Sequence, residues 1–239
     1  MIAPQGGALL TRLLRRQETS AAPLANMPTF ALDVGMRSKD HWNAIYGRKP
    51  EPEMSWHQDD PAVSLALMYV AGLTTRSSVI DIGGGTSRLV DRLLALGVRD
   101  LAVLDVSDTA LGLARTRLGN AGAGVAWIAA DVTIWEPRRT YDIWHDRAVF
   151  HFLVDPASRA SYLTRLGRSL PVGGHAIIAT FAPDGPESCS GLPVARYSPE
   201  TLSHLLGPRF SLVAHRDHVH RTPWGSPQSF QYSLLRKNA

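Results

Sequence analysis

The sequence predicts an α/β fold: a doubly wound, mostly parallel seven-stranded sheet that ends in an antiparallel hairpin. Three observations predict it. Short apolar runs alternate with helix-period segments from Val79 to Phe181, the pattern of a sheet wound with helices on both faces. The first run, Val79-Ile80-Asp81-Ile82, is followed at once by Gly83-Gly84-Gly85-Thr86-Ser87. Such a glycine turn lets the backbone approach a ligand closely in front of a helix N-terminus. The last two apolar runs, 210–219 and 229–236, are joined by residues 220–227, too short a link for a crossover helix, so they pair antiparallel.

The elements follow in order. Residues 39–72 read as helical and apolar on one side, interrupted by Gly47, Pro50 and Pro52, with Pro61 opening a helix over 61–72 and Asp59 or Asp60 capping it. Strand one is 79–82. A helix over 88–96 ends at Gly97. Strand two is 101–104, followed by a helix over 110–118 and the glycine-rich loop 119–124. Strand three is 125–129 and strand four 141–144. A helix over 158–170 is stopped by Pro171 and Gly173-Gly174. Strand five, 175–181, is almost continuously apolar, as a central buried strand is.

With 239 residues, 44% hydrophobic and 19% charged, the chain suits one domain with a substantial core. That domain is expected over 39–239, with 39–72 as a helical lid. Residues 1–38 differ: Arg12, Arg15, Arg16 and Arg37 stand against Glu18 and Asp33. They read either as an organelle-targeting peptide with an amphipathic helix near 8–16, or as a flexible extension with Met27 or Met36 as the true start. The formal charge of +4 is too mild to imply nucleic-acid binding. A single cysteine, Cys189, excludes an internal disulfide and a cysteine-cluster metal site. No apolar run is long enough to span a bilayer, and a cytoplasmic protein is expected. His218 and His220 share a strand face without an obvious third ligand, so no metal is expected.

The glycine turn narrows the ligand. In a dinucleotide fingerprint G-x-G-x-x-G the third position would be Arg88, whose long side chain opposes close helix–strand packing. No Gly-Lys-Ser/Thr follows, so a Walker loop is absent. Instead Asp81 precedes the glycines, at the strand end where open sheets bind ligands. Asp105 ends strand two and lies 24 positions later (105 − 81), the place of an acid that accepts ribose hydroxyls. Asp131-Val132 follows strand three, where a carboxylate can accept from an adenine amino group and a backbone N–H can donate to the ring. Three acids thus end three successive strands.

On these residues, and on Asp146 after strand four and the terminal hairpin, residues 39–236 resemble the class I S-adenosylmethionine-dependent methyltransferases, whose fold is Rossmann-like. The resemblance implies S-adenosyl-L-methionine as cofactor. It implies that Asp81, Gly83, Gly84 and Gly85 hold the amino-acid portion, Asp105 with Val106 the ribose, and Asp131 with Val132 the adenine, with Asp146 at the same site. Weaker likenesses point to thiopurine-methyltransferase-like enzymes and to elongation-factor-type lysine methyltransferases, through Trp42…Tyr46 and Trp56-His57-Gln58.

On the acceptor side, methyl transfer is an in-line displacement that needs alignment and exclusion of water. The loop after strand four offers Asp146, Arg147 and His151 as substrate contacts, with His151 and Asp146 as the catalytic candidates. Trp42, Tyr46 or Trp56 is placed to face the sulfonium by cation–π attraction. Cys189, in the proline-rich loop after strand five, reads as a pocket residue, a methyl-accepting intermediate or a small filler, and His220 as a polar group closing the pocket. The expected reaction is methyl transfer to a small nucleophile such as a thiol. Protein lysine methylation is the alternative, and a non-catalytic cofactor-binding module is a third. The expected partner is therefore a small molecule or a protein; neither nucleic acid nor a membrane is expected.

Overall fold

The computed structural model describes Met1 and residues 30–239, with side chains from Lys39 onward. The targeting and extension readings of the N-terminus fall on residues 2–29, outside the described residues. Helix α1 spans Phe30–Arg48, starting ahead of Lys39. A 3₁₀ turn at Glu51–Glu53 leads to α2, Ala62–Val70. Neither Asp59 nor Asp60 caps α2. Pro61 occupies the N-cap position with no side-chain bond, and Asp59 instead accepts from His57 Nε2 at 3.1 Å.

Five strands run parallel: β1 Ser78–Ile82, β2 Asp100–Asp105, β3 Ala126–Ala129, β4 Ile143–Arg147 and β5 His175–Phe181. Helices α3 Leu89–Ala95, α4 Asp108–Leu118 and α5 Pro156–Ser169 connect them. A short two-stranded ribbon, β6 Ser188–Cys189 with β7 Leu192–Pro193, precedes α6, Pro199–Leu206. Strands β8 Phe210–Arg221 and β9 Pro227–Lys237 complete a seven-stranded sheet of order β3-β2-β1-β4-β5-β9-β8. Both of the last pairings are antiparallel.

The core lies on both faces, because alternate residues of each buried strand point opposite ways. Val79 and Ile177 meet Leu67 and Met68 of α2 and Leu89 and Leu93 of α3. Ile80 and Ile178 meet Tyr162 and Leu166 of α5 and Leu202 of α6. The strand order reverses next to β1, where β2 lies on one side and β4 on the other. That is the switch point at which open sheets hold ligands, beyond the strands' C-terminal ends.

One strand differs from expectation in a way that matters. Residues 141–144 read as strand four, yet β4 starts at Ile143 and runs through Arg147. Tyr141 N and Asp142 N donate instead to the carbonyls of Ser169 and Ser78. His145, Asp146 and Arg147 therefore belong to a central strand, with Asp146 opposite Ile82 and Arg147 opposite Ala179.

Candidate active site

Asp81, Gly83 and Gly84 line a cavity at the C-terminal end of β1 together with His145 and Arg147 of β4 and Ser64 of α2. Its roof comes from Tyr46 of α1 and from Glu51, Trp56, His57 and Gln58. Thr86, Ser87 and Arg88 form its remaining edge.

The glycine turn is there because nothing larger fits. A Cβ on Gly84 would lie 2.7 Å from both Asp81 Oδ2 and Val103 Cγ1. Gly85 has φ +41°, and a Cβ there would meet the Tyr46 hydroxyl at 2.8 Å and Asp105 Oδ2 at 3.0 Å. The turn is pinned by Gly83 N donating to the Leu104 carbonyl and Ser87 N to the Gly84 carbonyl, each at 2.6 Å.

Asp81 is 4% exposed. Parallel register sets it beside His145, and its Oδ1 accepts from His145 Nδ1 at 2.7 Å. The other imidazole nitrogen meets Ser64 Oγ at 2.8 Å. A buried Asp81–His145–Ser64 chain thus fixes the carboxylate and leaves Asp81 Oδ2 buried without a partner beside the glycine turn. His145 and Ser64 were not legible as site residues, because their roles come from strand register and helix docking.

Asp105 ends β2, buried, and its Oδ1 accepts from Ser107 N at 2.8 Å. Burial raises its carboxyl to about 7, against the lowering effect of backbone N–H groups. Asn43 of α1 reaches the same place: its Oδ1 accepts from Ser107 Oγ at 2.7 Å. The Tyr46 phenol, held neutral by burial and then by the Asp105 charge, lies against Gly85. Asp131 is half-buried after β3 and accepts from Thr133 N and Oγ1, both at 2.8 Å; Val106 is half-buried, while Val132 is buried.

Several expected contacts are not at the cavity. Asp146 is fully buried and acts as a scaffold: it accepts from Tyr162 OH at 2.6 Å, Val149 N at 2.9 Å and Phe150 N at 3.1 Å. A carboxylate so engaged has little capacity left for substrate or cofactor, which corrects both roles expected of it. His151 is also fully buried, packed on Phe152 at 4.5 Å and Phe181 at 4.8 Å. Burial, then the charge of Arg147, pushes its imidazole down to about 3. A ring so weakly basic is a poor proton acceptor at neutral pH. Cys189 is buried in the core cluster with Phe181 and Phe230, and burial raises its thiol. His220 donates from Nε2 to the Ser55 carbonyl at 2.7 Å, holding the roof segment instead of facing the cavity. Trp42 packs edge-on against Trp56 and Phe152.

The residues present fit an adenosyl sulfonium cofactor. A row of carboxylates at β1, β2 and β3 suits a ligand that carries an ammonium, a sulfonium, ribose hydroxyls and an adenine amine, and no phosphate. The unpartnered Asp81 Oδ2 beside a turn that admits no side chain is the acceptor such a ligand needs.

Residues 79–174 match the family model described as a methyltransferase domain. The eEF1A lysine and N-terminal methyltransferases of Danio rerio and Mus musculus are similar at 24% identity over 149 residues and 21% over 152, in each case over 61% of this chain. The chain spans about a fifth of those relatives' length (21% and 22%). Among solved structures, the protein described with the conversion of a disulfide bond into a thioacetal group during echinomycin biosynthesis superposes with a TM-score of 0.67. It shares 21% identity, over 84% of this chain and 92% of its own. The 1,6-didemethyltoxoflavin-N1-methyltransferase of Burkholderia thailandensis, solved with S-adenosylhomocysteine, gives 0.65 and 21% over 94% and 99%. At such identities the structural likeness carries the fold; the methyltransferase model covers the strands bearing Asp81, Gly83–Gly85, Asp105 and Asp131. The methyltransferase-domain match over residues 79–174 and the site built on those residues together support a class I S-adenosylmethionine-dependent methyltransferase.

Proposed function

We propose that this enzyme methylates a small nucleophile, a thiol foremost, beneath a lid formed by residues 39–72. The observation that carries this reading is the closure over the strand ends. The cavity has about 50 Å³ of room, enough for a few waters and far below the roughly 300–1,000 Å³ of small-molecule sites. Loading therefore requires the roof to lift and settle again. Within the lid α2 stays in the core through Leu67 and Met68, while the part ahead of α2 is held by Lys39 to Asp108 at 2.5 Å, Arg88 to Glu51 at 2.8 Å and Arg117 to Glu51 at 3.0 Å, and by Tyr46 and Met54 packed with Ala110. The exposed Lys39–Asp108 pair contributes about 1 kcal/mol or less, so in this reading residues 39–58 lift while α2 stays with the core.

In this reading Asp105 accepts from the ribose hydroxyls. Asp131 and the Val132 N–H hold the adenine, and Asp81 with Gly83–Gly85 holds the amino-acid end. S-adenosylmethionine, when bound, supplies an electrophilic methyl on a sulfonium sulfur. Tyr46 and Trp56, which line the cavity, exclude water and present aromatic surface to a cation. Sulfur is favoured because the imidazoles that line the cavity are engaged, His145 with Asp81 and Ser64 and His57 with Asp59, and a thiolate needs little help at neutral pH. Protein lysine methylation is the second reading, supported by the likeness to the eEF1A methyltransferases. It needs a roof that stays open for a polypeptide.

Labelled S-adenosylmethionine incubated with a panel of small thiols and amines, and in parallel with cell lysate, separates the readings. Label on a small thiol is expected. Label on a lysate protein and none on the panel would replace the first reading by the second. Cofactor binding without turnover anywhere would leave a binding module.

A further inference from the structure

Arg147 ends β4 with its guanidinium inside the fold. Its Nε donates to Tyr232 OH at 3.0 Å and its Nη1 to the Trp56 carbonyl at 2.9 Å. Its Nη2 is buried and has no partner. The guanidinium lies over the Phe230 ring, 5.0 Å from the centroid. Among the described residues no carboxylate salt-bridges it. Arg88, at the same cavity's rim, and Arg117, bonded to the Thr86 and Ser87 carbonyls behind that rim, behave otherwise: both are paired with Glu51, and Arg117 also with Asp91 at 2.7 Å. The groups that feel the Arg147 charge are the Cys189 thiol and three imidazoles. His151, His218 and His220 are all shifted down, by burial first and by Arg147 next. The half-buried arginine is thus ringed by a phenol, a carbonyl, aromatic faces and histidines whose charged form it disfavours, with no anion beside it among the described residues.

A cation in this setting costs several kcal/mol if nothing neutralises it, and a donor left unmade adds to that. Arginine's planar fork matches a carboxylate. We propose that Arg147 docks a carboxylate carried by the methyl acceptor, so that the substrates of this enzyme are small organic acids whose nucleophile lies at the other end of the molecule. This rests on the small-acceptor reading above. The direction of reach assigns the carboxylate to the acceptor. Arg147 extends from β4 across β5 toward Phe230 and Tyr232 of β9. The acids proposed to hold the cofactor run the opposite way, from β1 through β2 to β3. The rings beside the guanidinium, Phe230 and Trp56, favour an acid with an apolar or aromatic body. The same charge disfavours a lysine ammonium approaching by this side.

The test uses the full chain saturated with S-adenosylhomocysteine. Phenylacetate and its neutral amide, phenylacetamide, are titrated by calorimetry, a measurement that needs no turnover. The acid is expected to bind at least tenfold more tightly than the amide, and Arg147→Gln is expected to erase the difference. Arg147→Lys, which keeps the charge and loses the fork, is expected to fall between; it also reports if the Gln variant fails to fold. S-adenosylhomocysteine affinity is expected to stay unchanged in both variants. Equal binding of acid and amide, or no binding of either to the natural chain, overturns the proposal. So does a loss of S-adenosylhomocysteine affinity in Arg147→Gln, which would place the cofactor's own carboxylate on the arginine. In a parallel arm, 3-sulfanylpropanoate and its methyl ester are offered as acceptors, with a tenfold higher KM expected for the ester. Acid binding with no thiol methylation would sink the sulfur reading and leave the docking site standing.

Discussion

Asp105 ties affinity for the cofactor to pH, and the size of the effect follows from its burial. In the ligand-free chain its carboxyl stands near 7, raised chiefly by desolvation. A ribose hydroxyl donates well to a carboxylate and poorly to a carboxylic acid, so binding draws on the ionised fraction. With the carboxyl near 7, that fraction is about one tenth at pH 6 and about nine tenths at pH 8. Apparent affinity scales with the competent population, so it should rise roughly tenfold over those two units. Binding then releases a proton below pH 7. Asp105→Asn keeps the shape and removes the acceptor charge. Loss of a charge-assisted hydrogen bond costs about 1.5–3 kcal/mol, or roughly 10- to 150-fold in affinity at pH 8. Titration calorimetry with S-adenosylhomocysteine at pH 6, 7 and 8, in two buffers of different ionisation enthalpy, reads the slope and the proton together. The variant should bind weakly with no slope. A slope that survives Asp105→Asn, or affinity unchanged by it at pH 8, would remove Asp105 from the ribose role.

Three further outcomes are expected. Tyr162→Phe strips a hydroxyl that donates to Asp146 Oδ2 at 2.6 Å and accepts from Trp144 Nε1 at 2.9 Å; urea unfolding should show a loss of about 1–3 kcal/mol, while turnover at saturation stays level if Asp146 is scaffold. Gly84→Ala forces a methyl to within 2.7 Å of Asp81 Oδ2 and Val103, so S-adenosylhomocysteine binding should fall at least tenfold with about 1–3 kcal/mol of stability; unaltered binding would show that the turn yields. His151, neutral in the fold because its imidazole is pushed down to about 3, takes up a proton near 6.5 once unfolded. The unfolded chain therefore binds more protons below 6.5, and stability falls as pH drops, by about 2 kcal/mol from pH 6.5 to 5 for this group. Asp105 and Asp146, raised by burial to about 7 and about 6, act in the opposite sense, so the difference between the natural chain and His151→Leu isolates the histidine; equal acid sensitivity in the two would show His151 protonated in the fold.

The parallel strands were legible because burial on both faces makes them apolar runs. Helix α5 was legible from its period and its stop before Pro171, but its start lies two residues earlier than 158, with Asp155 capping at 2.8 Å and Pro156 at its first position. The end of β4 was not. His145-Asp146-Arg147 reads as loop, and only pairing with β1 and β5 makes it strand. Helix α6 is short, and its signal was local: Ser198 and Thr201 bond reciprocally in a capping box, with Pro199 between them. At the site, the glycine turn and the acids that follow β1, β2 and β3 stand where ligands bind in open sheets, because position along a strand fixes them. The partners of those acids were hidden. His145 reaches Asp81 through register, Ser64 reaches His145 through the docking of α2, and the burial of Asp146 and His151 depends on α5 and on the rings that pack around them.

The polar end of β4 poses a cost that the fold answers unevenly. Three consecutive ionisable residues close a central parallel strand, the first two buried and Arg147 half-buried against the cavity. Desolvating each costs several kcal/mol unless neighbours satisfy it. For His145 both nitrogens are met, by Asp81 and Ser64. For Asp146 the Tyr162 hydroxyl and two backbone N–H groups suffice. For Arg147 the neighbours supply neutral acceptors to two nitrogens and nothing to the third. Packing therefore accounts for the first two residues as architecture. It does not account for the third: a leucine or methionine in the same place would fill the space beside Phe230 without an unpaired charge. The residue whose cost the fold leaves open is also the one that shares a cavity wall with Gly83 and Asp81, and a charge brought by a ligand is what closes it.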